Sequence, residues 1–416
     1  MNGLAQSIGL AIGSVLVGWA GLRATVLAFK TTTRKFRLRR EYERGLTNFR
    51  LRVEATACAA RAAKAIPDWN DWREFRAVAI VDEARDVKSF YFTPVDGRPL
   101  SPFAPGQYVT FRLPIPHVAE PIVRCYSLSD RARQDYFRST IKRVGSAKPE
   151  FPPGRGSNHF HANVRVGDVL VLRAPAGTFL LDPADSEPVV LVGAGIGVTP
   201  IMSMLEAIVH TGREREVHLV LGFRNGSEYP FRAAIARLAA QHPKIRLHVS
   251  YSAPLDTDVL YKDYNDCGRL TIERIRQVLP SNNFHFYVCG PGPLMESLVP
   301  ALWDWGVPES HVHFEAFGPA SVRSGAKKSA AERYDVRFTK SGKSATWDGS
   351  FASLLEFGEA AGVKMPAGCR AGGCGECMLS IREGIVTPLK QTGIEVPAGH
   401  CLTCISVPAG ELVIDA

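Results

Sequence analysis

Nothing in these 416 residues provides a disulfide framework: the nine cysteines lie singly along most of the chain and crowd only near its carboxyl end. That excludes the small stapled scaffolds of secreted proteins. The crowd also lacks the two separate CxxC knuckles that a structural zinc site prefers, so zinc is the weaker reading of those thiols. Sensory and DNA-binding motifs are missing too. A net charge of +9 would suit nucleic acid, but much of the excess lies between Lys30 and Lys64, directly after an apolar amino terminus. That placement points to a membrane surface, and no nucleic-acid partner is expected. The length exceeds one core of ordinary size, and three folded units are expected.

What is present begins at the crowd. Cys369-Arg370-Ala371-Gly372-Gly373-Cys374-Gly375-Glu376-Cys377, with Cys404 further on, has the thiolate spacing that wraps a plant-type [2Fe–2S] cluster. Three thiolates so close repel one another unless a cation neutralises them, and the glycines let the backbone curl around an inorganic core. Cys401 and Cys404 compete for the fourth position. The string Leu402-Thr403-Cys404 followed by Val407-Pro408 resembles the end of plant-type ferredoxins and favours Cys404. The metal ligands are then Cys369, Cys374, Cys377 and Cys404, which want a reducing compartment.

At the other end, Leu4 to Phe29 is nearly free of charge until Arg23, and about 20 such residues in a helix span a bilayer. Residues 1–30 are expected to be a transmembrane helix, with an interfacial or partner-buried helix as the alternative. The early residues lack the basic region of a secretory signal, and no small-residue cleavage site precedes the charged run. Lys30, Arg34, Lys35, Arg37, Arg39, Arg40 and Arg44 follow, so the catalytic body is expected on the cytoplasmic side, anchored to the lipid bilayer. Residues 31–72 read as a basic stalk or helical linker.

From Phe75 short alternating runs separated by Asp96-Gly97 and Pro105-Gly106 turns predict an antiparallel barrel over 73–185. One strand carries Arg124-Cys125-Tyr126-Ser127. An arginine can grip a phosphate with two prongs, a tyrosine two residues on can lie along a flat ring, and a serine can donate to a ribityl or phosphate oxygen. Gly154 to Asn158, including Gly156 and Ser157, then opens a short helix expected over His159 to Val164, whose free N–H groups suit a pyrophosphate. This order resembles the ferredoxin–NADP⁺ reductase superfamily, in which RxYS binds flavin; Gly106-Gln107-Tyr108 resembles a further flavin contact. FAD is expected. The FMN-containing phthalate dioxygenase reductase group shares the three-domain order, so FMN stays open.

Val189 to Val192 is a buried-type strand that runs into Gly193-Ala194-Gly195-Ile196-Gly197-Val198-Thr199-Pro200 and a helix beginning near Ile201. A strand ending in a glycine-rich turn at a helix N-terminus offers N–H groups to a pyrophosphate. Strand-then-turn repeats at Leu219–Asn225, Leu247–Tyr251 and Phe286–Pro291, giving a doubly wound α/β nucleotide domain over 186–320. Gly290 and Pro291 hold a tight turn through which a nicotinamide approaches the flavin, and Cys289 lines it. Arg224 sits where a 2′-phosphate would lie; NADH and NADPH both stay open.

From Trp72 to Pro319 these strings resemble the reductase part of flavohaemoglobins. The resemblance implies Tyr108, Arg124, Tyr126 and Ser127 on the flavin, Gly195 to Pro200 on the dinucleotide, and Glu315 with Phe317 beside the isoalloxazine. Cys289 and Glu315 are the expected catalytic pair. Cys125, Gly156, Ser157, Gly193, Gly195, Gly197, Thr199, Pro200, Arg224, Gly290, Pro291 and Phe317 complete the expected cofactor contacts. No globin precedes the barrel, so dioxygenation of nitric oxide at haem is not expected of this chain.

Residues 321–333 read as a linker, and 334–416 as a β-grasp domain with a helix from Ser353 to Ala361, resembling plant-type ferredoxins throughout. Nicotinamide gives two electrons together as hydride, an iron–sulfur cluster takes one at a time, and flavin does both. The expected activity is an NAD(P)H:acceptor oxidoreductase that passes hydride to flavin and single electrons through the cluster. The acceptor is expected to be a membrane-bound oxygenase, hydroxylase or desaturase. The alternatives are a soluble redox protein such as a hybrid-cluster protein as acceptor, or a non-catalytic redox sensor.

Overall fold

Alternation governs the first strand: in β1 (Arg73–Ala84) the side chains of Arg73, Phe75 and Ala77 are buried and those between them exposed, as in a strand with one wet face. The computed structural model describes residues 69, 72–116, 120–146, 153–212, 214–317, 333–370, 372–389 and 394–416, within the single unit Ala55–Ala416. The apolar segment Leu4–Phe29 and the basic stretch after it lie outside the described residues. Among the described residues, no helix is long and apolar enough to cross a membrane.

β2 (Val87–Pro94), β3 (Tyr108–Leu113), β4 (Ile122–Ser127), β5 (Phe137–Lys142), the helix α1 (Arg155–Ala162) and β6 (Val169–Ala176) follow. The six strands form one antiparallel sheet in the order β4-β3-β6-β1-β2-β5, and a bridge between Leu128 and Ser139 draws its two edges together. Phe75, Phe90, Phe92, Phe111, Phe137 and Phe160 fill the barrel, each completely buried. Phe160 comes from α1 and meets Phe111 edge-on at 5.1 Å, a geometry that aligns ring edge with ring face. The helix starts four residues before the expected His159. Polar side chains close its first turn: Ser157 Oγ donates to the Gly154 carbonyl at 3.1 Å and Asn158 Nδ2 to the same oxygen at 2.9 Å.

The second sheet is wholly parallel. It comprises β7 (Val189–Ala194), β8 (Val217–Phe223), β9 (Ile245–Tyr251), β10 (Asp266–Cys267), β11 (His285–Gly290) and β12 (Val312–Ala316), in the order β10-β9-β8-β7-β11-β12. Helices α2 (Val198–His210), α3 (Arg232–Gln241), α4 (Ile272–Val278) and α5 (Gly292–Asp304) connect the strands. Val189 to Val192 are inaccessible to solvent, as expected of a strand covered on both faces. The chain leaves β7 for β8 on one side and adds β11 on the other, so strand order reverses at β7, where open α/β sheets bind ligands. The helix after β7 begins at Val198 rather than near Ile201, because one 3₁₀ turn, Gly195–Gly197, precedes it and Pro200 fits a helix's first turn.

The carboxyl-terminal sheet contains β13 (Tyr334–Phe338), β14 (Lys343–Trp347), β15 (Met378–Glu383), β17 (His400–Leu402) and β19 (Leu412–Ile414), while β16 (Val386–Pro388) pairs with β18 (Ser406–Pro408). Its order is β14-β13-β19-β15-β17. Helix α6 (Leu354–Ala360) packs against it, capped by Ser353, whose hydroxyl accepts from Glu356 N at 3.3 Å while Glu356 Oε2 accepts from Ala352 N at 3.0 Å. The cysteine loop runs between α6 and β15.

Candidate flavin, dinucleotide and iron–sulfur site

Four thiols meet in two pairs. Cys377 Sγ lies 3.2 Å from Cys404 Sγ, and Cys369 is hydrogen-bonded to Cys374. Two-and-two pairing is the donor set of a two-iron cluster, in which each iron takes two cysteines. The loop supplies N–H donors to sulfur: Cys369 N to Cys374 Sγ at 3.2 Å, Gly372 N to Cys404 Sγ at 3.3 Å and Gly373 N to Cys369 Sγ at 3.2 Å. Such donors suit thiolates. Gly372 and Gly375 have φ of +73° and +77°, the left-handed curl that glycine adopts without strain. Cys401 faces Leu379 across the β15–β17 pair and is buried, which pushes its thiol up to about 12. The residues present fit a [2Fe–2S] cluster.

The cysteine loop lies against the barrel. Tyr108 on β3 is nearly buried, and a Cβ on Gly373 would come within 2.3 Å of its hydroxyl. Burial first, then the sulfurs of Cys125 and Cys369 and the Glu315 carboxylate, hold the Tyr108 phenol far above its ordinary range. On β4, Cys125 hydrogen-bonds the Cys369 sulfur and lies 3.3 Å from Thr110 Oγ1. Arg124, expected on a phosphate, donates from Nη1 to the Val123 carbonyl at 2.7 Å and to the Gly368 carbonyl at 2.8 Å. Tyr126 packs edge-on against Phe111 and Phe160, with its hydroxyl at Gly156. Ser127, opposite Tyr108 in the register, is buried. The Ser157 hydroxyl is engaged within its own loop, accepting from Val144 N at 3.1 Å as well as donating to Gly154. The buried Tyr108 phenol, together with the Tyr126 hydroxyl set against Gly156 in the first turn of α1, fits a flavin.

In the second sheet, Gly193, Cys289 and Glu315 form one lateral row across β7, β11 and β12. The inaccessible Cys289 thiol is pushed well up by burial and then by Glu315. Gly290 and Pro291 follow at the start of α5. Gly197 is pressed on the Cys289 carbonyl, where a Cβ would stand 2.3 Å from the oxygen, whereas Gly195, at φ +54°, faces open space. Open space before N–H groups at a helix start fits a pyrophosphate. Thr199 donates its hydroxyl to the Ile196 carbonyl at 2.9 Å, and with Pro200 it is buried in the first turn of α2. Arg224 is exposed just after β8, and Phe317 packs on the apolar core beneath β7 and α2.

Comparison with known proteins now bears on these parts. Residues 76–180 match the family described as "Oxidoreductase FAD-binding domain", residues 191–299 "Oxidoreductase NAD-binding domain", and residues 339–409 "2Fe-2S iron-sulfur cluster binding domain". The chain is 31% identical to the flavohem-like FAD/NAD-binding domain of nitric oxide dioxygenase from Vibrio cholerae, with a TM-score of 0.54, covering 59% of this chain and 99% of that one. This chain belongs to the flavohem-like FAD/NAD-binding oxidoreductase family. The flavohem-like part is also 39% identical over 252 residues to a flavohemoprotein of Rhodopirellula baltica, covering 60% of this chain and 62% of that protein. The chain thus spans less than two thirds of such relatives. Phthalate dioxygenase reductase, 24% identical with a TM-score of 0.50, covers 83% of this chain and 98% of its own and shares the fold. In this family member FAD, NAD(P)H and a [2Fe–2S] cluster are the cofactors.

Sequence reasoning missed Arg173, Thr110 and Trp72. Arg173 Nη1 donates to the Cys374 carbonyl at 2.5 Å, and its guanidinium lies 4.5 Å from the Trp72 ring. The signal was present: Arg173 is the one charge inside VLVLRAPA, the otherwise uncharged β6.

Proposed function

We propose that this chain is an NAD(P)H-dependent reductase that delivers single electrons through its carboxyl-terminal cluster to an oxygenase, hydroxylase or desaturase. The observation that carries the reading is the seating of the cysteine loop on the flavin-type strand, through Tyr108 against Gly373, Cys125 on Cys369 and Arg124 on Gly368. A cluster used only for structure has no need to touch that strand. Bound flavin would supply the conversion of a hydride pair into single electrons. The chain's own residues bind and orient: Gly195 and the start of α2 face the dinucleotide phosphates, Cys289 and Gly290 leave a thin wall for the nicotinamide, and Tyr108 excludes water between barrel and loop. Glu315 places a carboxylate near both Tyr108 and Cys289.

The membrane reading of residues 1–30 is part of the proposal and rests on the sequence, as does a cytoplasmic catalytic body. The deciding experiment is anaerobic. Purified full-length protein should be yellow-brown, should bleach with NADH or NADPH, and should then show the electron paramagnetic resonance of one reduced [2Fe–2S] centre. Cys404→Ala should keep dinucleotide-driven reduction of ferricyanide and lose reduction of a protein acceptor. A preparation with neither flavin nor acid-labile sulfide after reconstitution would refute the reading.

A further inference from the structure

Three residues on neighbouring strands of the barrel share one row: Cys125 on β4 pairs with Thr110 on β3, and Thr110 with Arg173 on β6. Cross-strand neighbours point to the same side of a sheet, and the cysteine loop lies along this row. Cys125 meets the sulfur of Cys369, the first ligand, and Arg173 meets the carbonyl of Cys374, the second. Those two cysteines form one of the two pairs. Arg173 also reaches Glu376, between the second and third ligands, with Nη2 3.5 Å from Oε1. Its guanidinium is held in turn by Trp72, whose ring lies 4.5 Å from Arg173 and 4.1 Å from Arg112. A planar cation stacked on an aromatic face loses little freedom on binding a carbonyl.

We propose that Arg173 is a positioning residue for electron entry into the cluster: it pins the Cys369–Cys374 side of the loop onto the flavin barrel and places a fixed positive charge beside that pair. The inference rests on the reading that Cys369, Cys374, Cys377 and Cys404 hold the cluster. Each NAD(P)H oxidised to NAD(P)⁺ releases two electrons that pass one at a time. With the cofactors bound, each electron would serve one ferric-to-ferrous reduction of cluster iron, and the proton left from the hydride would pass to water. A cluster held by the four cysteines would gain one negative charge on reduction, so the Arg173 cation beside it would favour the reduced form and raise the potential. Glu376 compensates part of that charge, and Lys in place of Arg retains charge without the two-pronged grip.

The test uses the full-length holoprotein with Arg173→Met and Arg173→Lys. Cluster potential is read by resonance-monitored redox titration, flavin potential by absorbance in the same titration, and cluster reduction after NADH mixing by stopped flow. In Arg173→Met the cluster potential is expected to fall while the flavin potential stays at its native value, and cluster reduction is expected to slow about tenfold because the loop is no longer pinned. Arg173→Lys should recover the potential but not the rate. Native values for both potential and rate in Arg173→Met overturn the inference. Should Arg173→Met fail to retain iron, a native rate in Arg173→Lys overturns it equally. A native protein without any [2Fe–2S] resonance would instead refute the underlying reading of the four cysteines.

Discussion

Two glycines of the turn after β7 are required for different physical reasons. A Cβ on Gly197 would stand 2.3 Å from the Cys289 carbonyl oxygen and 2.5 Å from its carbon. Both atoms belong to the backbone of a central strand that cannot give way. Gly197→Ala is therefore expected to cost about 1–3 kcal/mol of stability, as overpacking of a core does. At Gly195 a Cβ meets nothing within 4 Å, but φ is +54°; Gly195→Ala costs only the left-handed backbone, roughly 1 kcal/mol. Its methyl group enters the open space facing the helix start, so its main effect should be on dinucleotide binding. Urea unfolding and the KM for NADH should therefore separate the pair, with stability hit harder at Gly197 and KM per unit of lost stability hit harder at Gly195. The reverse order would remove the pyrophosphate from this turn.

At the scale of elements, β12 has chemistry at both ends. Its carboxyl end carries Glu315, and its amino end carries His313, stacked on Tyr287 at 4.5 Å and bonded through Nε2 to His285 Nδ1 at 3.3 Å. His285 in turn bonds Glu187 and stacks on His311. Burial, reinforced by His285 and His311, holds the His313 imidazole down at about 4. The folded state thus takes up this proton less readily than the unfolded chain. Stability from this group is complete above about pH 6.5 and is lost as pH falls toward 4. Between pH 7.5 and 5.5 the nucleotide sheet should lose on the order of 1 kcal/mol, after allowance for solvent screening. Urea unfolding at the two pH values checks this, and His313→Phe should flatten the difference; an equal difference in the variant refutes the assignment. The strand before the glycine turn, the strand that carries Arg124 to Ser127 and the cysteine loop were legible in sequence because each is written in one short run. The helix start at Arg155 was not, because the polar bonds that close it come from Ser157 and Asn158 folding back on Gly154. The seat of the cysteine loop was also hidden. Register alone puts Arg173 beside Thr110 and Cys125, and register is a property of strands far apart in sequence.

The whole molecule separates charge from chemistry. Of the 50 Lys and Arg and 41 Asp and Glu, residues 1–68 hold twelve and four, so nearly all of the +9 lies there and residues 69–416 carry only +1. Within the described residues the contacts that seat the cluster loop run largely to backbone carbonyls and sulfur, at Gly368, Cys374 and Cys369. They need no net charge and are little screened by salt. Attraction to an anionic lipid surface is what a basic stretch of this density supplies, about 1 kcal/mol per Lys or Arg close to the surface. Full-length protein should therefore sediment with vesicles containing anionic lipid, whereas a protein of residues 69–416 should stay in solution and keep its cluster resonance. Raising salt to 0.5 M, where the screening length is only about 4 Å, then divides two modes. Release at high salt identifies a purely electrostatic surface contact; retention until detergent is added identifies insertion of the apolar segment Leu4–Phe29. Equal sedimentation of the two proteins would mean that the nearly neutral body, not the basic segment, meets the membrane, and the proposed anchoring would fall while the assignment of the cluster stood.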